Sequence, residues 1–355
     1  MIKNKIHRFL KLMLDRGASD FHLTVGRPPI FRISGLLEPI RYKVISQADW
    51  NELIKPITRD DLWEEYQKTG DVDFAYEVDG LARFRINLFR QERGEGAVFR
   101  VIPSRIMTID QLGLPRQVLR LAEMEHGLIL VTGPTGSGKS TTLAAIIHLI
   151  NQTRGYHIIT LEDPIEFVHE NMKSLIHQRE LGIHMGSFID GLKSATREDP
   201  DVILVGELRD LETIRMALES AEKGLLVFGT LHTNSAGKTI DRIINVFPAK
   251  DQDTIRSILG ETLKGILAQQ LMPRIEGGRV AALEVLFGSP ALANIIREGK
   301  THQIENYLLT GKKEGMIAMD ESIMELLKEK IISPRSAYDK SINKELFEPF
   351  LRESE

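Results

Sequence analysis

Eight consecutive residues, Gly133-Pro134-Thr135-Gly136-Ser137-Gly138-Lys139-Ser140, fit the pattern G-x-x-x-x-G-K-S. Glycines at 133, 136 and 138 let the backbone take positive φ and bring N–H groups against phosphate oxygens. Lys139 can reach the β- and γ-phosphates of a nucleotide, the Ser140 hydroxyl can take a position on Mg2+, and Thr141 follows in the same turn. The chemistry implied is nucleoside triphosphate binding, with ATP and Mg2+ as the expected cofactors. An apolar run, Leu128-Ile129-Leu130-Val131, precedes the motif, and a helix is expected to open at about 138. Strand, loop and helix in that order are the context the motif requires.

A bound triphosphate also needs a metal ligand and a group that prepares the attacking water. Leu161-Glu162-Asp163-Pro164-Ile165-Glu166 ends the strand-like run 156–161, and Val205-Gly206-Glu207-Leu208-Arg209-Asp210 ends the run 202–205. Ligands of open α/β sheets bind at the carboxyl ends of strands. Glu207 is expected to hold Mg2+ through water and Glu162 to polarise the attacking water; both are carboxylates within reach, so the reverse assignment stands beside this one. Asp163 is a candidate nucleotide contact, with a helix N-cap as its structural alternative. Thr230-Leu231-His232-Thr233-Asn234-Ser235 follows another apolar run, 225–229. An imidazole there can donate or accept a hydrogen bond at the γ-phosphate. No His or acid accompanies His232 at ligand spacing, so a histidine-based metal site is not expected.

These residues must be positioned by a sheet. Short apolar runs at 128–131, 156–161, 202–205 and 225–228 alternate with helical stretches, the pattern of a mostly parallel sheet covered on both faces. Beyond about 250 the chain is expected to be largely helical, with one strand at 280–287. The first hundred residues read differently. A helix over 2–16 carries Ile6, Phe9, Leu10, Met13 and Leu14 on one face. Strands follow at 21–25 and 30–33, a helical stretch at 47–69, and a meander at 73–78, 82–89 and 96–102. This is a small α+β domain. Arg83, Arg85, Arg90, Arg93 and Arg100 crowd its last two strands. Most would be a solvated basic face, but an arginine supplied from elsewhere can stabilise charge on a transferred phosphoryl group. The expected domains are 1–103, a linker at 104–115 with Pro103 and Pro115 at its ends, a core at 116–287 and a helical segment at 288–355.

With 355 residues, either domain can bury a core of its own. The absence of cysteine excludes disulfides, thiolate metal sites and a cysteine nucleophile. No apolar run approaches the roughly 20 residues that span a bilayer, and no signal-peptide pattern follows the basic start, so a cytoplasmic protein is expected. A net charge of −4 gives no broad basic footprint for nucleic acid.

Five ordered segments together resemble the PilT-like retraction ATPases of type IV pili, within the secretion ATPase superfamily. They are the glycine–lysine loop, Glu162-Asp163-Pro164-Ile165-Glu166-Phe167, Arg197-Glu198-Asp199-Pro200-Asp201, Gly206-Glu207-Leu208-Arg209-Asp210, and Gly229-Thr230-Leu231-His232-Thr233-Asn234. In the first domain the likeness rests on Arg16-Gly17-Ala18-Ser19-Asp20-Phe21-His22-Leu23 and on the segment 83–103. The resemblance implies a PAS-like α+β domain followed by a RecA-like α/β P-loop core, assembled as a homohexamer. It implies ATP-driven motion that retracts pili in twitching motility, acting on a PilC-like platform protein at the inner-membrane base, with other pilus ATPases as further partners. By position, Arg85 and Arg100 match the arginines that approach the phosphates. The absence of cysteine, and so of a tetracysteine zinc motif, favours retraction over extension. Two departures stand out: Leu225 replaces a common histidine, and Ala293 replaces the arginine of an Ala-Ile-Arg-Asn-Leu motif. The second leaves an accessory, PilU-like motor as an alternative, beside an extension or secretion ATPase and, more remotely, a nucleic-acid motor.

Overall fold

The computed structural model describes residues 4–33, 35–102 and 106–352. It forms two compact units, residues 1–105 and 106–355. The first runs α1 (Lys5–Asp15), β1 (Asp20–Thr24), β2 (Ile30–Ile33), β3 (Leu36–Pro39), α2 (Gln47–Ile54), α3 (Asp60–Thr69), β4 (Asp71–Val78), β5 (Ala82–Gln91) and β6 (Gly94–Ile102). Its strands make one antiparallel sheet in the order β3-β2-β1-β6-β5-β4. Ile6, Leu10 and Met13 recur at three- and four-residue spacing on α1 and are buried, so that face is the core face. The helical stretch expected over 47–69 is two helices rather than one. Pro56 has no N–H to continue α2, and a short 3-10 turn, Lys55–Ile57, ends it. Strand β3 was not expected; all four of its residues are exposed, so it lacks the buried alternation that marks a strand.

The second unit runs α4 (Gln117–Ala122), β7 (Gly127–Thr132), α5 (Lys139–Thr153), β8 (His157–Glu162), β9 (Leu175–Glu180), α6 (Phe188–Ala195), β10 (Val202–Val205), α7 (Leu211–Glu222), β11 (Leu226–Leu231), α8 (Ala236–Asn245), α9 (Ala249–Thr262), β12 (Leu263–Pro273) and β13 (Arg279–Phe287). Five helices close it: α10 (Pro290–Arg297), α11 (Ile304–Thr310), α12 (Met319–Lys328), α13 (Pro334–Lys340) and α14 (Glu348–Arg352). The sheet order is β13-β12-β7-β11-β10-β8-β9. Every neighbouring pair is parallel except β12 with β13. Strands β7, β10 and β11 are buried along their whole length, as central strands covered on both faces must be. Because β7, β8, β10 and β11 run parallel, their carboxyl ends lie along one edge of the sheet. That edge carries every core residue expected to do chemistry.

Strand β12 corrects the expectation of helix beyond 250. Leu263, Ile266, Leu267 and Leu271 recur at helical spacing, yet the segment is an extended strand beside β7. Its burial between two neighbours overrides the local periodicity. Part of the expected linker, Pro103–Arg105, lies outside the described residues. Further along it, Ile109 and Leu114 are buried in the core of the second unit.

Candidate active site

The loop after β7 is shaped by its glycines. Gly133, Gly136 and Gly138 have φ of +147°, +77° and +87°. A Cβ on Gly133 would lie 2.3 Å from the carbonyl oxygen of Gln269, and one on Gly138 would lie 2.8 Å from Gln269 Nε2. Both conformation and space therefore require glycine at these two positions. Gln269, buried on β12, is the loop's buttress. Its Nε2 donates to the Ser137 carbonyl at 2.7 Å, and its Oε1 accepts the Thr142 hydroxyl at 2.7 Å.

Lys139 Nζ donates to the loop's own carbonyls, Gly133 O at 2.8 Å and Pro134 O at 3.2 Å. Burial pulls its ammonium below the usual lysine range, while Glu207 and Glu166 oppose that shift. Ser137 Oγ is buried without a hydrogen-bond partner among the described residues. A buried hydroxyl and a desolvated ammonium beside the first turn of α5, where Ser140 and Thr141 sit, suit a polyanion. The residues present therefore fit a nucleotide's phosphates.

Glu162 ends β8. Its Oε1 accepts the Thr160 hydroxyl at 2.6 Å and Gln178 Nε2 at 3.1 Å. Burial pushes this carboxyl upward despite those bonds. Glu207, beyond β10, is opposite in character. Arg209 lies 2.7 Å from its Oε2 and His232 Nε2 lies 3.3 Å from its Oε1. The Arg209 guanidinium, ahead of His232, holds Glu207 below the usual carboxylate range. The two acids are thus pushed apart, one toward the neutral form and one held ionised, which is the usual basis for dividing two roles.

Backbone contacts stitch the strand ends together. Gly206 N–H donates to Leu161 O at 2.7 Å, Leu208 N–H donates to Thr230 O at 3.0 Å, and the Thr230 hydroxyl donates to Gly206 O. Asp163 is exposed and joined to Pro164 by a cis peptide bond; no helix starts there, so it is not an N-cap. Asp210 fills that role for α7, accepting the Thr213 N–H at 2.8 Å.

Arg85 and Arg100 lie in the first unit, directly opposite each other on β5 and β6. Arg85 makes a two-pronged pair with Asp73, its shortest contact 2.7 Å, and Arg100 Nε donates to Asp20 at 2.8 Å.

A family model described as type II/IV secretion system protein matches residues 1–336. The chain belongs to this family. It is 48% identical over 336 residues to the type IV pilus retraction ATPase PilT of Pseudomonas aeruginosa, covering 95% of this chain and 98% of that one. It is 36% identical over 323 residues to the type IV pilus ATPase PilU of the same organism, covering 91% and 85%. A crystal structure of the pilus retraction motor PilT with bound ADP superposes with a TM-score of 0.91 at 44% identity, covering 98% of this chain and 99% of that one. This secretion ATPase hydrolyses ATP in type IV pilus retraction.

Gln269 is the residue of this ATPase that the sequence did not reveal. Its only sequence signal is a pair of glutamines, 269 and 270, inside an apolar run. The two departures also find their places. Leu225 precedes β11, at the end of that strand opposite His232. Ala293 is buried where α10 packs on α9; its carbonyl lies 3.1 Å from where a Cβ on Gly260 would stand.

Proposed function

We propose that this ATPase works as a homohexameric, Mg2+-dependent motor, with its nucleotide on the edge formed by β7, β8, β10 and β11. The observation that carries the site is the convergence of Lys139, Glu162, Glu207 and His232 on parallel strand ends. Within the loop 133–141, the backbone N–H groups of residues 135, 136 and 138–141, with Lys139, bind the phosphates. Ser140 and, through water, Glu207 would hold Mg2+, which when bound neutralises phosphate charge. Glu207, kept ionised by Arg209, suits that task. Burial makes the Glu162 carboxylate more basic than usual, so in its ionised form it suits the acceptance of a proton from attacking water. His232 reports the γ-phosphate through its contact with Glu207, and Asp163 is a peripheral nucleotide contact. Arg85 and Arg100 supply positive charge to a phosphoryl group from the first unit.

The motor acts in the cytoplasm on an inner-membrane platform protein. No helix among the described residues is long and apolar enough to cross a membrane, which is consistent with a peripheral attachment. Higher identity to PilT than to PilU supports a principal rather than an accessory role. The decisive experiment uses Lys139→Ala and Glu207→Ala in the purified protein. Each should abolish hydrolysis and leave a retraction-deficient strain uncomplemented; wild-type turnover in either overturns the site assignment.

A further inference from the structure

Glu284 takes no part in the chemistry above, yet it is only 4% exposed. Its Oε1 accepts the Ala236 N–H at 2.6 Å. Ala236 is the first residue of α8, and the loop carrying His232 leads straight into it. The first N–H groups of a helix lack acceptors within the helix, and an acidic partner there also meets the positive end of its dipole. Within the segment itself, Ser235 caps α8 and the Thr233 and Thr239 hydroxyls bond at 2.7 Å. Glu284 is the anchor that comes from another element.

That element is the strand pair that also supports the phosphate loop. Glu284 on β13 lies opposite Ala268 on β12, and Leu283 lies opposite Gln269. Opposed residues share a face of the sheet and successive residues alternate. Gln269 is therefore presented to the cradle from one face, and Glu284 to the start of α8 from the other.

We infer that Glu284 is a positioning residue for the His232 loop, fixing it against the same strand pair that supports the cradle. This rests on the role proposed for His232. Burial pushes the Glu284 carboxyl up to about 7; Glu305 on α11 and Asp320 on α12 add to the shift, while hydrogen bonds from the Ala236 and Met319 backbone oppose it. The Ala236 contact needs only an acceptor oxygen, so the neutral form serves it, and a glutamine amide offers the same oxygen.

The test compares Glu284→Ala, Glu284→Gln, His232→Ala and the double variant E284A/H232A in the full-length assembled protein. Turnover, KM for ATP and affinity for a fluorescent ADP analogue are measured. E284A should lower kcat about tenfold while KM and ADP affinity stay within about twofold, and E284Q should recover most of the loss. The double variant should be no slower than H232A, because the two act as one unit. If E284A does not assemble, Ala236→Pro removes the donor instead, since proline is tolerated at the first helical position, and it carries the same expectation. An unimpaired E284A beside an impaired H232A overturns the inference alone. H232A with wild-type turnover overturns the His232 role, and the positioning role with it. Equal loss of kcat and ADP affinity in both E284A and E284Q also overturns the inference.

Discussion

The phosphate cradle and the acid–histidine edge lie at the same end of one sheet but are built by different means. The cradle is backbone: three glycines at positive φ, two of them, Gly133 and Gly138, pressed against Gln269. The other edge is side chain: Glu207 shared between Arg209 and His232, whose side chains are 65% and 45% exposed. A backbone site has no spare room and one shape. A site of partly exposed ion pairs can exchange partners as a substrate's charge changes, since exposed pairs contribute little each. Under the proposed roles, binding falls to the rigid part and response to the adjustable part.

Substitutions can break this contrast, beginning with the cradle. Gly133→Ala puts a methyl 2.3 Å from the Gln269 carbonyl at a φ that alanine disfavours. It should weaken nucleotide binding by at least about 100-fold, read by titration with a fluorescent ADP analogue. Near-normal affinity would mean that the loop has more freedom than its contacts imply. Gln269→Ala leaves the buried Ser137 carbonyl and Thr142 hydroxyl without their partner. A loss of about 1–3 kcal/mol in stability and about tenfold in nucleotide affinity should follow, read by thermal melting and titration. Unchanged affinity would remove the buttress from the account. The smallest effect is expected on the adjustable side. Arg209→Ala should leave turnover at pH 8 within about threefold, because the guanidinium is largely exposed. It should still move the acid limb of the pH–rate profile. Arg209 holds Glu207 below its usual range, so the ionised form is lost only as pH falls through that lowered value. Without Arg209 the value rises and activity fails at higher pH. An unmoved acid limb would show that turnover does not depend on ionised Glu207.

The same contrast governs what the sequence could disclose. The cradle was legible because its glycines and lysine are contiguous and each answers a local need. Glu162, Glu207 and His232 were legible because each closes an apolar run, and parallel strands bring such ends together. Gln269 and Glu284 were not, because their partners lie far along the chain: Ser137 and Thr142 for one, Ala236 for the other. Nothing local distinguishes a buttress from any buried polar residue. Strand β9 was hidden by its polar composition, since Leu175–Glu180 contains His177, Gln178, Arg179 and Glu180. Strand β12 was hidden by helical spacing that only its neighbours overrule.

The facing arginines of the first unit have a consequence of another kind. Arg85 and Arg100 stand side by side, and each is already paired with a carboxylate, Asp73 for the first and Asp20, which Arg32 also faces, for the second. An anion reaching either guanidinium does not meet a bare cation; it displaces a resident competitor. Binding of such an anion becomes an exchange of one oxyanion for another rather than the capture of a free charge. A lone exposed arginine, by contrast, would have no resident partner to take an anion's place when it leaves. A pair with built-in replacements can let go, which suits the role proposed for these arginines in a repeating cycle.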